Sequence, residues 1–273
     1  NCRLLVARPS RRGFLVIDAF SRIIRLGEGV TASGRLSEAA MSRTLDALRI
    51  CAEKMRRRQV VRSRLVATEA CRIAGNGGEF LDRVDRELGL ELEIITREAE
   101  ARLAVAGCAS LIDRECDYAL VFDIGGGSSE LIWLDLNRME GGAPRSIAER
   151  IDVQDAVLAW TSLPVGVVTL SEHFGGHHID AGVFEAMVTH VTGLLGDFER
   201  EAGMRERLDK ARVHLLGTSG TVTTVAGVHL GLASYDRNRI DGCWLLSDDV
   251  RAVSGRLTAM SYRQRVAEPC IGA

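Results

Sequence analysis

Apolar positions along the chain alternate between two periods, and the alternation predicts the elements. Cys2–Ala7, Phe14–Asp18 and Arg22–Leu26 are short β-rich runs separated by turn residues, which predicts a three-run meander. From Ser37 the spacing changes. Met41, Leu45, Leu48, Ala52 and Met55 recur every three to four residues, predicting a helix with Glu38 in its first turn and Arg56, Arg57 and Arg58 in its last. A strand is expected over Val60–Ala67, a helix over Glu79–Leu88 ended by Gly89, and a strand over Leu92–Ile95. Thr96 is placed to cap a helix from Glu98 to about Leu111.

Tyr118–Asp123 is a continuous apolar run ending in an acid. It enters Ile124-Gly125-Gly126-Gly127-Ser128 and leaves as a second strand over Ser129–Leu136. Further on, Phe184, Met187, Val191, Leu194 and Phe198 line one face of a helix over Val183–Glu201. A strand at Arg212–Leu216 runs through Gly217-Thr218-Ser219-Gly220-Thr221 into a helix, and Asp248-Asp249 is placed to cap a last one. Strands and helices alternating in this way predict an α/β protein. The 273 residues divide naturally into halves of residues 1–97 and 98–273, each with strands and crossover helices.

Composition narrows the function classes. Hydrophobic residues at 46% and charged residues at 26% describe an ordinary globular chain. The apolar runs fall far short of the ~20 residues of a membrane span, and no secretory signal is visible. A net charge of −2 argues against a nucleic-acid coat. Lys54 and Lys210 are the only lysines among 35 basic residues, so arginine, whose planar fork suits phosphate, supplies nearly all the positive charge. Seven cysteines without a C-x-x-C pair imply neither a zinc site nor a disulfide framework, and the default compartment is a reducing cytoplasm. His173, His177 and His178 cluster in sequence but lack a convincing set of co-ligands.

The sharpest chemical signal is Asp123–Glu130. Three consecutive glycines cost backbone entropy, and between two apolar strands they suit a turn whose N–H groups form an anion cradle. Asp123 at the end of the first strand can hold a hydrated magnesium ion, and Glu130 shares a face with Ser128. A Walker loop is excluded, because neither lysine follows the required glycine spacing. A dinucleotide fingerprint would need glycine where Glu130 stands, and a helix where a strand follows. Gly217, Thr218, Ser219 and Gly220 do not form a serine-hydrolase elbow. They open a helix after a strand, which makes them a second anion site.

Asp123–Glu130 resembles the second phosphate loop of the actin, sugar kinase and heat-shock ATPase superfamily. More narrowly, the chain resembles the Ppx/GppA family of exopolyphosphatases and guanosine pentaphosphate phosphohydrolases. The resemblance rests on Ile23–Gly29, Val66–Arg72, Glu98–Leu103, the Asp123 loop and Gly217–Ala226, in family order. It implies two ribonuclease H-like domains with the active site in the cleft between them. Glu100 would be the general base, Asp123 and Glu130 the metal acids, Gly125, Gly126, Gly127 and Ser128 the phosphate cradle, and Arg72 an arginine near substrate. The loop around Thr68–Arg72 would form the facing wall. On the residues alone, Glu98 is an equal candidate for the base.

The implied activity is release of terminal phosphate from inorganic polyphosphate with magnesium or another divalent cation. The alternatives are guanosine pentaphosphate hydrolysis, or a non-catalytic sensor of either ligand. A homodimer is compatible with the resemblance. The family begins with an Asp-x-Gly-Thr loop ahead of the segment matching Asn1-Cys2-Arg3, and ends with a strand and helix beyond Ala273. The expectation is therefore a piece of a longer protein.

Overall fold

The computed structural model describes residues 1–10, 13–138, 153–176, 179–208 and 211–271. Strands β1 (Cys2–Ser10) and β2 (Gly13–Arg22) form an antiparallel hairpin with an irregularity at Val6/Ala7. The expected third run is not a strand. Arg25 has φ 46, which breaks an extended chain, and the Ile24 carbonyl accepts from Arg43 Nε at 3.2 Å instead of joining a ladder. Ile24 is nevertheless buried, packing with Cys2, Ala47 and Cys51.

A four-residue helix α1 (Val30–Ser33) precedes α2 (Glu38–Arg57), whose Ser37 cap accepts from Ala40 N at 3.2 Å. The strand expected from Val60 shrinks to β3 (Val66–Ala67), because its pairing with β4 (Glu93–Ile94) extends over two residues only. Between them lie α3 (Glu69–Ile73) and α4 (Gly77–Leu88), the latter ended by Gly89 at φ 63 as expected. Leu45, Phe80 and Val84 fill the core that joins α2 to α4.

Helix α5 (Arg97–Cys108) is capped by Thr96, whose side chain accepts from Ala99 N at 3.1 Å. The main sheet contains β5 (Tyr118–Ile124), β6 (Ser129–Asp135), β7 (Val157–Leu163) and β8 (Val213–Thr218) in the order β7-β6-β5-β8. Strand β8 runs parallel to β5, and the other pairs are antiparallel. Both faces are covered. Val121, Ile132 and Leu134 pack on Ala101 and Val105 of α5, while Leu131 and Trp133 pack towards Phe198 and Met204. Those two residues belong to α7 (Ala181–Ala202) and α8 (Met204–Leu208). Burial of both faces explains why Tyr118–Asp123 is apolar without alternation.

Helices α9 (Ser219–His229), α10 (Arg237–Ile240), α11 (Ser247–Ala259) and α12 (Tyr262–Ala267) complete the chain. The helix at Asp248-Asp249 is thus not the last, and neither acid is its cap. Leu246 occupies the cap position, and its N–H donates to Asp249 Oδ2 at 3.0 Å from the first turn. Sequence reading also missed β7 and the short α6 (Val167–His173) that follows it. No helix among the described residues is long and apolar enough to cross a membrane.

Candidate active site

The glycine turn joins β5 to β6, with Gly125 N–H donating to Ser128 O at 3.0 Å. Its carbonyls face α6. Gly125 O accepts from Val167 N at 3.0 Å, and Gly126 O accepts from Val168 N at 2.8 Å and Thr169 N at 3.3 Å. Gly127 O accepts from Thr169 Oγ1 at 3.3 Å. In a planar trans peptide the following N–H points opposite to the carbonyl. The N–H groups of Gly126 and Gly127 therefore point away from α6, and among the described residues they donate to no protein group. Close approach demands glycine at Gly166, where a Cβ would lie 2.5 Å from Gly126 C, and at Gly125, where it would lie 2.9 Å from Ser128 O.

Asp123 and Glu130 are direct partners across the β5/β6 ladder, and Asp123 also pairs with Thr218 on β8. The turn, both acids and the start of α9 thus meet at the carboxyl ends of the parallel pair, where open α/β sheets bind ligands. Glu130 is buried and accepts at Oε1 from Ser128 Oγ and Ser162 Oγ, each at 2.8 Å. Burial pushes its carboxyl above the ordinary range against those two hydrogen bonds, with Glu100 and Asp123 adding like charge. On the second loop, Thr218 Oγ1 donates to Phe122 O at 3.5 Å, and a Cβ on Gly217 would strike the Phe122 ring at 2.6 Å. Ser219 holds φ 75, a left-handed conformation unusual outside glycine and of the kind found at ligand-binding turns. Gly220 lies beside Arg3 Nη2, 3.7 Å from where its Cβ would be.

The facing wall comes from α3 and α5. Arg72 Nη2 donates to Glu100 Oε2 at 2.8 Å, its Nε to Glu69 Oε2 at 3.1 Å, and its Nη1 to Ile95 O at 2.5 Å. Burial raises the Glu100 carboxyl, Arg72 opposes the rise, and Asp123 and Glu69 add to it. Glu98 has a different setting. Its side chain is 50% exposed, against 23% for Glu100, and pairs with Arg102 at 2.8 Å one turn along α5.

Sequence reading missed Glu69, Arg97, Ser162, Gly166 and Thr169. Glu69 is buried and accepts from Arg97 at Nη2 (2.6 Å) and Nε (3.2 Å) as well as from Arg72. Burial pushes its carboxyl up, but the two arginines outweigh that and hold it below the ordinary range. Its Cγ would meet a Cβ on Gly127 at 3.4 Å, so it touches the opposite wall. The α6 contact left no signal in the sequence, because backbone groups make most of it. His173 packs on the rings of Phe174 and His190, while His177 and His178 lie outside the described residues.

No group of three or more His, Cys, Asp or Glu side chains among the described residues is arranged to hold a metal ion. The donor chemistry nonetheless fits magnesium, which is usually held by one or two carboxylates together with substrate phosphates rather than by an all-protein cage. Asp123 and Glu130 supply such a hard-oxygen pair. They stand in a cleft where four carboxylates (Glu69, Glu100, Asp123 and Glu130) face two arginines, so a cation would relieve their mutual repulsion.

Known proteins resemble this chain over most of its length. The family model for the Ppx/GppA phosphatase family matches residues 5–242. Exopolyphosphatase 2 of Mycobacterium tuberculosis is 30% identical over 252 residues, covering 90% of this chain and 72% of that protein. A solved exopolyphosphatase-like protein superposes with a TM-score of 0.81 at 30% identity, over 99% of this chain and 78% of the other. The Aquifex aeolicus member of the Ppx/GppA family gives 0.70 at 29%, over 99% and 79%. An exopolyphosphatase from Cytophaga hutchinsonii shares the fold, with a TM-score of 0.79 at 22% identity over 99% and 80%. The architecture is accordingly the two-domain, actin-like ATPase fold. With a glycine turn held by its carbonyls, an in-register acid pair and a matching family model over most of its length, this chain belongs to the Ppx/GppA phosphatase family.

Proposed function

We propose that this protein is an exopolyphosphatase that releases the terminal phosphate of inorganic polyphosphate by attack of a Glu100-activated water. The observation that carries the reading is the glycine turn. Its carbonyls are tied to α6, so the Gly126 and Gly127 N–H groups are turned outward with no protein acceptor among the described residues, as a phosphoryl cradle requires. We divide the chain into domains of residues 1–97 and 98–273, with Arg72 from the first meeting Glu100 from the second.

Arg72 holds one oxygen of the Glu100 carboxylate, which leaves the other to accept the proton of the attacking water. As the water oxygen bonds to the terminal phosphorus, the bridging P–O bond breaks and the shortened chain leaves with the electron pair. The outward N–H groups of the turn stabilise the charge on the phosphoryl oxygens, which is where most of the acceleration in phosphoryl transfer arises. When bound, a magnesium ion held by Asp123 and Glu130 neutralises substrate charge. Thr218 and Gly220 extend the anion site along the N-terminus of α9.

The test is phosphate release from long-chain polyphosphate and from guanosine pentaphosphate, side by side, with and without magnesium. Metal-dependent release from polyphosphate is expected. Release from the pentaphosphate alone would transfer the activity to that nucleotide, and binding of both without release would make the protein a sensor.

A further inference from the structure

We propose that Arg97, rather than Arg72, is the arginine that grips the substrate, binding phosphoryl oxygens on the solvent side of the scissile bond, while Arg72 positions Glu100. The inference rests on the phosphohydrolase reading and deepens it.

Arg72 is already committed. All three of its guanidinium nitrogens donate within the protein: Nε to Glu69, Nη1 to the Ile95 carbonyl and Nη2 to Glu100. Its side chain is 17% exposed, so a phosphate reaching it would have to displace the contact that orients the base. Arg97 has the opposite profile. It uses Nε and Nη2 on the Glu69 carboxylate, its Nη1 donates to no protein group among the described residues, and its side chain is 43% exposed. A planar fork anchored along one edge and free on the other suits a phosphate oxygen.

Arg97 is also placed against local helix preference. It is the first residue of α5, where the helix dipole disfavours a cation, and Asp or Glu would be the stabilising choice. Glu69 offsets that penalty from a buried position on α3. The single Glu69 carboxylate is shared by two guanidinium groups, so it neutralises neither fully. Glu130 and Glu100 act electrostatically on Arg97, so the guanidinium stands at the reaction site and not on a remote surface. Because Arg97 is the more exposed of the two arginines, a chain running from the buried end of the cleft to solvent passes it after the reacting phosphate.

The experiment uses the full-length protein with Arg97→Ala, Arg97→Lys and Arg72→Lys variants, each checked for a cooperative melt. Steady-state phosphate release from long-chain polyphosphate is combined with calorimetric titration of tripolyphosphate into the same variants carrying Glu100→Gln, which reports binding without turnover. Arg97→Ala is expected to raise KM and weaken tripolyphosphate binding by about 10-fold or more, the worth of a charge-assisted hydrogen bond, with kcat changed less than about threefold. Arg97→Lys should fall between Arg97→Ala and wild type. Arg72→Lys should lower kcat by about 10-fold or more with KM changed less than about threefold. The reverse pattern, or an Arg97→Ala protein with unchanged KM and tripolyphosphate affinity, overturns the inference while leaving the phosphohydrolase reading intact. Tripolyphosphate affinity that falls in Arg97→Ala while the wild-type protein hydrolyses nothing would overturn that reading, and with it the role of Arg72, and leave only the Arg97 contact standing.

Discussion

Glu130 is buried and Glu100 partly buried, and burial lifts both carboxyl groups above the ordinary range. For the base this fixes a sign. Only the ionised carboxylate accepts a proton, so kcat/KM should rise with pH through an apparent value above the ~4.3 of a free glutamate. A pH–rate profile whose acid limb lies at or below that value would contradict the assignment. Stability follows the same linkage. A raised folded value means that folding favours the protonated acid, so the contribution is fully present below the unfolded value and falls as pH climbs through the folded one. Glu69, held below its ordinary value, acts in the opposite sense and loses its contribution as pH drops. Glu130→Gln keeps an oxygen to accept from Ser128 and Ser162 without burying a charge. Its urea midpoint at pH 8 should therefore equal or exceed that of wild type, with the difference shrinking towards pH 4, while turnover is lost. A midpoint clearly below wild type at pH 8 would mean that the ionised acid stabilises the fold.

The junction of β7, α6 and the glycine turn is the element on which the cradle depends. A Cβ at Gly166 would lie 2.5–2.6 Å from the Gly125 and Gly126 backbone, which cannot move like the end of a side chain. Gly166→Ala should cost about 1–3 kcal/mol in stability, as overpacking does. It should also lower turnover by at least about 10-fold, through N–H groups no longer aimed at the phosphoryl oxygens. An unchanged melt with full activity would show that the contact is loose. The strand–turn–strand unit Tyr118–Asp135 was legible in sequence, because a doubly buried strand has an unmistakable apolar run. So were α2 and α7, from their periodicity, and α5, from Thr96 as its cap. The α6 contact was not legible. It consists of backbone groups, and β7 reads as Val157-Leu158-Ala159-Trp160-Thr161-Ser162-Leu163, with neither period. Val60–Ala67 failed in the other direction, since composition favoured a strand but no neighbour pairs with most of it. Arg72 was legible as a site residue, while Glu69 and Arg97 were not, because sequence shows residue type without showing which charges face each other.

At the largest scale, residues 1–97 and 98–273 meet through the Arg72–Glu100 ion pair and the Gly29 N–H donating to Glu172 Oε1 at 2.8 Å. With a net charge of −2, no global field draws in a polyanion, so attraction beyond the cleft must be local. The arginines at and after the end of α2 are candidates for it. Arg57, Arg58 and Arg64 pair with Glu53, Asp18 and Glu93, whereas Arg56 and Arg62 have no ion pair among the described residues. Neutralising Arg56 and Arg62 together should weaken long-chain polyphosphate more than tripolyphosphate, and should flatten the salt dependence of KM. Equal effects on both substrates would reduce these arginines to surface solvation. The most direct test of the central claim is a comparison of Glu100→Gln, Glu98→Gln and wild type for magnesium-dependent phosphate release from polyphosphate, with tripolyphosphate affinity measured on each. Glu100→Gln should retain affinity and lose ~10²–10⁴ in turnover, the range for a general base, while Glu98→Gln stays close to wild type. Turnover that survives in Glu100→Gln, or that is lost instead in Glu98→Gln, would contradict the account.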